Sequence, residues 1–308
     1  MKTKNIFLSI VLVAIFSSSF AQTTEAEKVL KTNNIDTVYG WKNGGLVSLS
    51  FTQVSLTNWA SGGQNSIAGN GFVNLFANLK RKKFAWDNNL DLGFGLIRQG
   101  DSKEPWIKSD DKIDFSSKYG QKANEHWFYA GLINLKSQFA SGYSNPGDSV
   151  AISKFLAPGY VLGAVGMDFK PNDKLTMFIS PITGKATIVM DDYLSSIGAF
   201  GVDSGKTLRG ELGGYLKIQW KKDLKENISF STRAELFANY LEFKTIEDVD
   251  VLWENVLAIK ISKYISANIT TTLIWDNDVM IADKNDATLS SPKIQFKEVL
   301  GIGFSYKF

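Results

Sequence analysis

The chain has 308 residues, of which 44% are hydrophobic, 13% aromatic and 21% charged, with 26 glycines and no cysteine. The absence of cysteine excludes disulfides and thiolate metal sites, and the single histidine, His126, excludes a multi-histidine metal centre. The mean hydropathy of −0.09 is too low for a bundle of membrane helices, and the aromatic content is too high for a disordered chain.

Residues 1–21 have the pattern of a secretory signal peptide. Lys2 and Lys4 precede an apolar run over 6–16, and small residues at Ser19 and Ala21 predict cleavage after Ala21. Loss of these two lysines lowers the formal net charge from +3 to +1, which argues against a nucleic-acid partner. We therefore expect an exported protein in which residues 22–45 form a polar periplasmic extension.

The remaining chain alternates apolar and polar residues with a period of two. At the C-terminus, Leu300, Ile302, Phe304, Tyr306 and Phe308 alternate with glycine, serine and lysine. The alternating stretch over 293–308 is longer than a typical soluble strand and suits a strand that crosses a membrane at a tilt. The strands of a soluble β-sandwich also alternate apolar and polar residues, so the lengths of the connections must distinguish a sandwich from a membrane barrel.

The connections favour a membrane barrel, because short turns alternate with long loops along the chain. We predict that residues 46–308 form a transmembrane antiparallel up-and-down β-barrel of about twelve strands, with ten to fourteen left open. The seventh strand is the weakest because Pro181 and Gly184 lie near its end. The predicted strands are 46–57, 65–80, 83–98, 111–120, 125–140, 158–170, 173–182, 206–220, 227–240, 247–262, 264–276 and 293–308.

The alternation assigns side chains to the two faces of the barrel. Aromatic residues on the apolar face are expected at headgroup depth, as in membrane barrels. The predicted interface aromatics are Trp59, Trp86, Trp127, Trp220, Trp253, Trp275 and Phe308. The predicted lumen-lining residues are Arg209, Glu211, Lys217, Arg233, Glu235, Asp248, Asp250, Glu254 and Lys260. If these charges pair completely, the lumen is plugged; if they leave a gap, they line a narrow polar channel.

Several strings along the chain resemble a known family. They are NWASGGQN at 58–65, WDNNL at 86–90, SKYG at 117–120, SPITGK at 180–185 and QFKEV at 295–299. Together they are similar to a Bacteroidetes family known as domain of unknown function 3078, over most of residues 41–308. The resemblance implies a protein of the cell envelope of that phylum, and it supplies no activity and no site residues.

The sequence offers little catalytic chemistry. His126 follows a predicted periplasmic turn, and a histidine at the barrel rim is a better interpretation than a lipase-type catalytic base. The oxygen-rich loops at 109–111 and 276–278 could bind Ca²⁺ weakly, but solvated loop charges are the prediction. We therefore predict no catalytic residue, no metal and no cofactor.

Three functional hypotheses follow from the sequence. The first is a narrow channel or transporter for small polar solutes in the Gram-negative outer membrane. The second is a structural barrel whose outer loops bind envelope partners or surface polymer. The third is a lipid-modifying enzyme built around His126. The expected partners are outer-membrane lipid and the barrel-assembly machinery, which would recognise the last strand ending at Phe308.

Overall fold

Twelve antiparallel strands close into a barrel in the computed structural model, which describes residues 39–56, 64–100, 103–172, 174–262, 264–282 and 290–307. The barrel strands are β1 (Gly40–Val54), β2 (Ser66–Lys80), β3 (Phe84–Gln99), β4 (Ile107–Lys122), β5 (Trp127–Ser137), β6 (Gly159–Phe169), β7 (Leu175–Ile188), β8 (Leu208–Lys225), β9 (Ile228–Asn239), β10 (Val249–Lys260), β11 (Ile265–Trp275) and β14 (Gln295–Lys307). Two short strands, β12 (Met280–Ala282) and β13 (Ser290–Pro292), form a separate hairpin.

Each barrel strand pairs with its neighbours in chain order, and β14 closes the ring against β1. One end of the barrel, the short-turn end, carries the brief connections and the beginning of β1. The other, the long-loop end, carries the extended connections, including helix α1 (Asp192–Ser196) and the β12–β13 hairpin. Within the described residues, no helix is long and apolar enough to cross a membrane. The predicted fold class is confirmed, since this is the architecture of an outer-membrane β-barrel.

The strand boundaries differ from the sequence prediction at several points. β1 begins at Gly40, so part of the predicted extension over 22–45 belongs to the barrel wall. β8 runs on to Lys225, whereas the prediction ended at 220. The β12–β13 hairpin was not predicted, because each of its strands has only three residues. The predicted signal peptide over 1–21 lies outside the described residues.

β7 continues through Pro181 because a bulge accommodates the missing backbone donor. The register with β8 shifts between Ser180 and Thr183. Ser180 Oγ lies 2.8 Å from the backbone oxygens of both Val165 and Ile182, so its single O–H can donate to either of them. On β6, Gly166 fits against this bulge only because it has no side chain, since a Cβ there would lie 2.0 Å from the Ile179 carbonyl oxygen. The predicted end of this strand at 182 was therefore too early.

The outer face of the barrel is apolar between two aromatic zones. At the short-turn end, Trp41 and Trp86 pack with ring centroids 5.9 Å apart, and Trp127 packs on Phe169 at 4.7 Å. Toward the long-loop end, Trp275 Nε1 donates to the Glu247 carbonyl at 2.7 Å. Large exposed apolar side chains on the strands between these zones include Leu49, Phe51, Phe94, Ile133, Val165, Leu212, Ile269, Leu300 and Ile302. Such a surface suits a hydrocarbon environment and not water.

The loops at the long-loop end are folded and not extended. Ala157, Val189, Leu194 and Val202 form a buried apolar cluster beneath α1. Asp191 caps α1 by accepting from the Leu194 backbone N–H at 2.9 Å, and its carboxylate also contacts the Lys154 ammonium at 2.5 Å. These contacts tie the 137–159 connection to the 188–208 connection.

Candidate functional site

The interior of the barrel carries its charged side chains in three layers along the axis. This arrangement follows from the alternation of the strands, since residues two apart point to the same face. The layer nearest the short-turn end joins Asp168 to Lys118 at 2.8 Å and to Lys170 at 3.2 Å. Lys170 also reaches Asp87 on β3 at 3.1 Å.

The central layer crosses the lumen. Lys112 on β4 lies 3.9 Å from Glu254 on β10, and these two strands are opposite each other in the ring. Glu254 also pairs with Arg233 on the adjacent strand β9. Lys112 lies 3.9 Å from Asp114, whose carboxylate accepts from the Asn134 amide at 2.7 Å.

Glu235 is the second hub of the central layer. Its carboxylate accepts Lys136 and Lys217, each at 3.2 Å, and lies 3.6 Å from Arg233. An apolar cluster lies on the inner side of strands β5 to β9. Its buried residues are Ala130, Leu132, Ala164, Phe178, Tyr215 and Phe237. Side chains from opposite walls therefore meet at the centre of the lumen.

The layer nearest the long-loop end is rich in carboxylates. Two groups could hold a cation, formed by Glu211, Glu242 and Asp278 and by Asp250, Asp276 and Asp278. Protein cations already lie within both. Arg209 Nη2 is 2.6 Å from Glu242 and 2.8 Å from Asp278. Lys185 Nζ is 2.6 Å from Asp250 and 3.3 Å from Glu211.

A cavity of about 790 Å³ occupies the half of the barrel toward the short-turn end. Asp114, Arg233 and Glu254 of the central layer line its inner end. The cationic residues that line it are Lys42, Lys80, Arg81, Lys82, Lys118, Lys122, Lys170, Lys217, Lys221 and Arg233, against the acidic residues Asp87, Asp91, Asp114, Glu125 and Glu254. This charge excess makes the cavity, which we call the cationic vestibule, favourable for anions.

The structure distributes the predicted lumen residues unevenly. Lys217, Arg233, Glu235 and Glu254 lie in the central layer, and Arg209, Glu211 and Asp250 lie in the layer at the long-loop end. Asp248 does not line the wall, because it ends a 3₁₀ turn before β10 and accepts from the Thr245 backbone N–H at 2.8 Å. Lys260 is exposed at the end of β10.

The predicted interface aromatics mostly fall at the two rims. Trp86, Trp127 and Trp220 lie near the short-turn end, while Trp253 and Trp275 lie toward the long-loop end. Trp253 Nε1 donates to Thr232 Oγ1 at 2.9 Å, so its polar edge has a partner on the barrel surface. Trp59 and Phe308 lie outside the described residues.

Residues 109–111, predicted as a loop, belong to β4, and both they and His126 have structural contacts. Asp111 accepts from the backbone N–H groups of Phe139 and Ala140, and Asp110 pairs with Lys297 at 3.5 Å. His126 is exposed in the turn before β5, with its backbone carbonyl accepting from Lys170 and its ring 6.4 Å from that of Phe169. These contacts hold the turn and leave the imidazole at the rim.

Sequence reasoning missed the central-layer residues on β4 and β5. Lys112 and Asp114 occupy alternate positions with Ser116 and Lys118, so a period-two charge pattern was present in the sequence. It was hard to recognise because β4 carries polar residues on both faces near the long-loop end. On β5, Lys136 lies two residues from Asn134 on the same polar face, but its partner Glu235 is four strands away in the ring.

Comparison with known proteins agrees with the resemblance in part. A family model, DUF3078, matches residues 51–143. Its description is "Protein of unknown function", and the matched stretch contains the strings at 58–65, 86–90 and 117–120. The strings at 180–185 and 295–299 lie beyond it. No curated protein matches the chain.

Several solved structures share the barrel architecture at low identity. An outer membrane channel from Pseudomonas putida F1 is 11% identical over 89% of this chain and 97% of its own, with a TM-score of 0.41. Outer membrane phospholipase A from Escherichia coli is 12% identical over 91% and 95%, with a TM-score of 0.39. The NanC porin is 9% identical over 85% and 98%, with a TM-score of 0.37. These likenesses assign no role to this chain.

Proposed function

We propose that this protein is a gated outer-membrane channel that admits small anionic solutes to its lumen and passes them when the central layer opens. The observation that carries the proposal is the cationic vestibule of about 790 Å³ that ends at the Lys112–Glu254 contact. A wide cavity before a narrow, ion-paired constriction is the arrangement expected of a gated pore.

The proposal includes the placement of the protein. Residues 1–21 direct export, and the short-turn end, which carries the brief connections, faces the periplasm. The apolar strand surface between the two aromatic zones supports insertion into the outer membrane. The assembly machinery would engage β14 near the C-terminus.

The charge of the vestibule supports the choice of anions. Its walls carry twice as many cationic as acidic residues, and low-dielectric walls strengthen the resulting potential. The central layer carries both cationic and acidic side chains, so it gives no preference to solutes of either charge. Selection of anions over cations would therefore occur in the vestibule, and closure of the pore would occur in the central layer.

Planar bilayer recording of the purified protein under a KCl gradient tests this function. We expect brief openings with a reversal potential displaced toward the chloride equilibrium potential. Silence at every applied voltage would overturn the channel, and a reversal potential on the potassium side would overturn the anion preference.

A structural barrel is the second candidate, and the folded loops favour it. The buried cluster of Ala157, Val189, Leu194 and Val202 gives the long-loop end a defined surface of its own. A barrel with a closed lumen and rigid loops could bind an envelope partner or surface polymer without conducting. Permanent silence in the bilayer experiment is the result that this candidate predicts.

A catalytic function is not part of the proposal. The exposed imidazole of His126 lies at the rim, with its ring 6.4 Å from that of Phe169. We expect His126→Ala to leave any phospholipid hydrolysis by the preparation unchanged. A loss of hydrolysis that depended on His126 would instead support the lipid-modifying alternative.

A further inference from the structure

The seam between β1 and β14 is paired over less of its length than any other contact between described barrel strands. Residues 46–50 pair with 303–307, which is five residue pairs. Every other neighbouring pair in the ring has ten or more. The last pair toward the long-loop end is Ser50 with Gly303.

Both strands continue beyond the point where their pairing stops. β1 runs on to Val54, and β14 starts at Gln295, so Phe51 and Ile302 continue the register without being paired to each other. Their side chains are 62% and 61% exposed on the outer face. Strand edges left unpaired within a hydrocarbon layer are costly, because lipid chains offer backbone N–H and C=O groups no partner.

Two buried polar atoms without partners lie on β1 and on the adjacent strand β2, level with the end of this pairing. Ser50 and Asn70 face each other across β1 and β2, and they are 5% and 4% exposed. Among the described residues, Ser50 Oγ and Asn70 Nδ2 have no hydrogen-bond partner. Asn70 Oδ1 accepts from the Ser109 hydroxyl on β4 at 3.1 Å, so the amide extends across Gly95 of β3. Buried polar groups are nearly always partnered by protein, water or ligand, so these two atoms have hydrogen-bonding capacity that a ligand could use.

We propose that the seam is a binding site for a single-chain amphiphile with an oxygen-bearing head group. The head accepts hydrogen bonds from Ser50 Oγ and Asn70 Nδ2, and the apolar chain leaves the barrel between β1 and β14 beside Phe51 and Ile302. The inference rests on the membrane placement given above and is independent of anion passage.

An amphiphile fits this site better than an added β-strand. The unpaired part of the seam ends abruptly at Ser50 and Gly303, where a Cβ on Gly303 would lie 2.7 Å from the Leu49 carbonyl oxygen. An inserted strand needs an even spacing of about 4.8 Å on both sides along its length. The single alkyl chain of an amphiphile needs only a gap between the two strands beyond the point where their pairing stops.

Photolabelling in phosphatidylcholine vesicles tests the seam. The probe is a palmitic acid with a diazirine in its chain, and a monoacylglycerol with the same chain separates a carboxylate from a hydroxyl head. We expect labels to concentrate on residues 51–54 and 295–302. Labels spread evenly around the outer face of the barrel would overturn the proposal.

An engineered disulfide can be used to close the seam. Because the chain has no cysteine of its own, the two introduced thiols can pair only with each other within one molecule. The double variant Phe51→Cys, Ile302→Cys places thiols where pairing has stopped. The matched control, Leu49→Cys with Phe304→Cys, places them on a pair that the register already joins. We expect oxidation to abolish labelling only in the first variant, with recovery on reduction. Equal labelling of both oxidised variants would contradict lateral binding.

Ser50→Ala tests the head-group site without a cross-link. Removing a buried hydroxyl that has no partner should not destabilise the fold. We expect labelling to fall about fivefold, the effect of one hydrogen bond. Ser48→Ala, on the same face of β1 within the paired part of the seam, is the control. Undiminished labelling of Ser50→Ala would refute the assignment of the head group. Heat-modifiable migration on a gel confirms in each case that the barrel is inserted, so failed membrane placement is distinguished from a failed site.

Discussion

Lys112 on β4 and Glu254 on β10 lie on opposite walls of the barrel, six strands apart in either direction around the ring, yet their Nζ and Oε1 atoms are 3.9 Å apart. A contact between opposite walls means that side chains bridge the full width of the lumen. Arg233 and Glu235 extend this bridge along β9. The charges that could have lined an open channel instead contact one another across it.

Removing one partner of this central layer should destabilise the barrel more than removing two of opposite charge. Glu254→Gln leaves the cations of Lys112 and Arg233 facing a neutral amide, and we expect a loss of about 3 kcal/mol in the free energy of unfolding. Adding Lys112→Met restores the balance of charge and should recover part of that loss. Urea unfolding in vesicles, followed by tryptophan fluorescence, measures both. A double variant less stable than the single one would contradict the balance of charges.

The bulge in β7 should make the protein sensitive to substitution of Gly166, which packs against it from β6. Gly166→Ala places a Cβ 2.0 Å from the Ile179 carbonyl oxygen, so we expect a loss of about 1–3 kcal/mol from overpacking. Gly163→Ala on the same strand is the control, because its Cβ would meet nothing within 4 Å. The same urea unfolding compares them. Equal stability of the two variants would show that the bulge can shift without cost.

The cationic vestibule should set the ion preference of any open lumen. Arg81→Glu with Lys82→Glu reverses two charges at its mouth, and we expect the reversal potential to shift toward potassium. The shift should shrink at high salt, because exposed charges are screened. Lys206→Glu with Lys244→Glu changes the same charge at the long-loop end and should shift the potential less. Equal shifts would show that net charge, and not the vestibule, sets the preference.

The loop contact between Asp191 and Lys154 should depend on pH. The hydrogen bond from Lys154, helped by the Leu194 backbone N–H, lowers the pKa of Asp191, and the same hydrogen bond raises the pKa of Lys154. The contact is therefore fully present above the ordinary carboxyl pKa of about 3.9 and is lost as the pH falls through the lowered pKa of Asp191. At alkaline pH it is lost as the pH rises through the raised pKa of Lys154.

Amide hydrogen exchange at Leu194 reports on this contact, because that N–H caps α1 on the Asp191 carboxylate. Asp191→Asn at neutral pH imitates the loss of charge, and we expect faster exchange at Leu194. Asp203→Asn, in the same connection but paired only with Lys206 among the salt bridges of the described chain, is the control. Unchanged exchange in Asp191→Asn would show that other contacts hold the loop.

Much of the fold could be predicted from the sequence because the membrane imposes a strict alternation on each strand. The period-two pattern that ends in Leu300, Ile302 and Phe304 placed β14 and the apolar face of the barrel. The pattern failed where the backbone departs from a regular ladder, as at Pro181, where a bulge allows β7 to continue. It also missed the start of β1 at Gly40, since Gly44 and Gly45 carry no hydropathic signal.

The state of the lumen could not be predicted, because it depends on contacts across the ring. The sequence placed Arg233, Glu235 and Glu254 on an inward face, and pairing between adjacent strands followed from that. Nothing in the local pattern connects Lys112 to Glu254, since six strands separate them and their meeting depends on the width of the barrel. The short β1–β14 seam was equally hidden, because strand lengths do not reveal how far two strands stay paired.

Single-channel conductance of the charge-balanced variant Lys112→Ala, Glu254→Ala tests closure by the central layer most directly. Asp203→Ala with Lys206→Ala, which removes an exposed ion pair in a long loop, is the control. We predict that the wild type and the control stay closed apart from brief openings, while the central-layer variant conducts continuously at low voltage. A correctly folded central-layer variant as silent as the wild type would contradict the account.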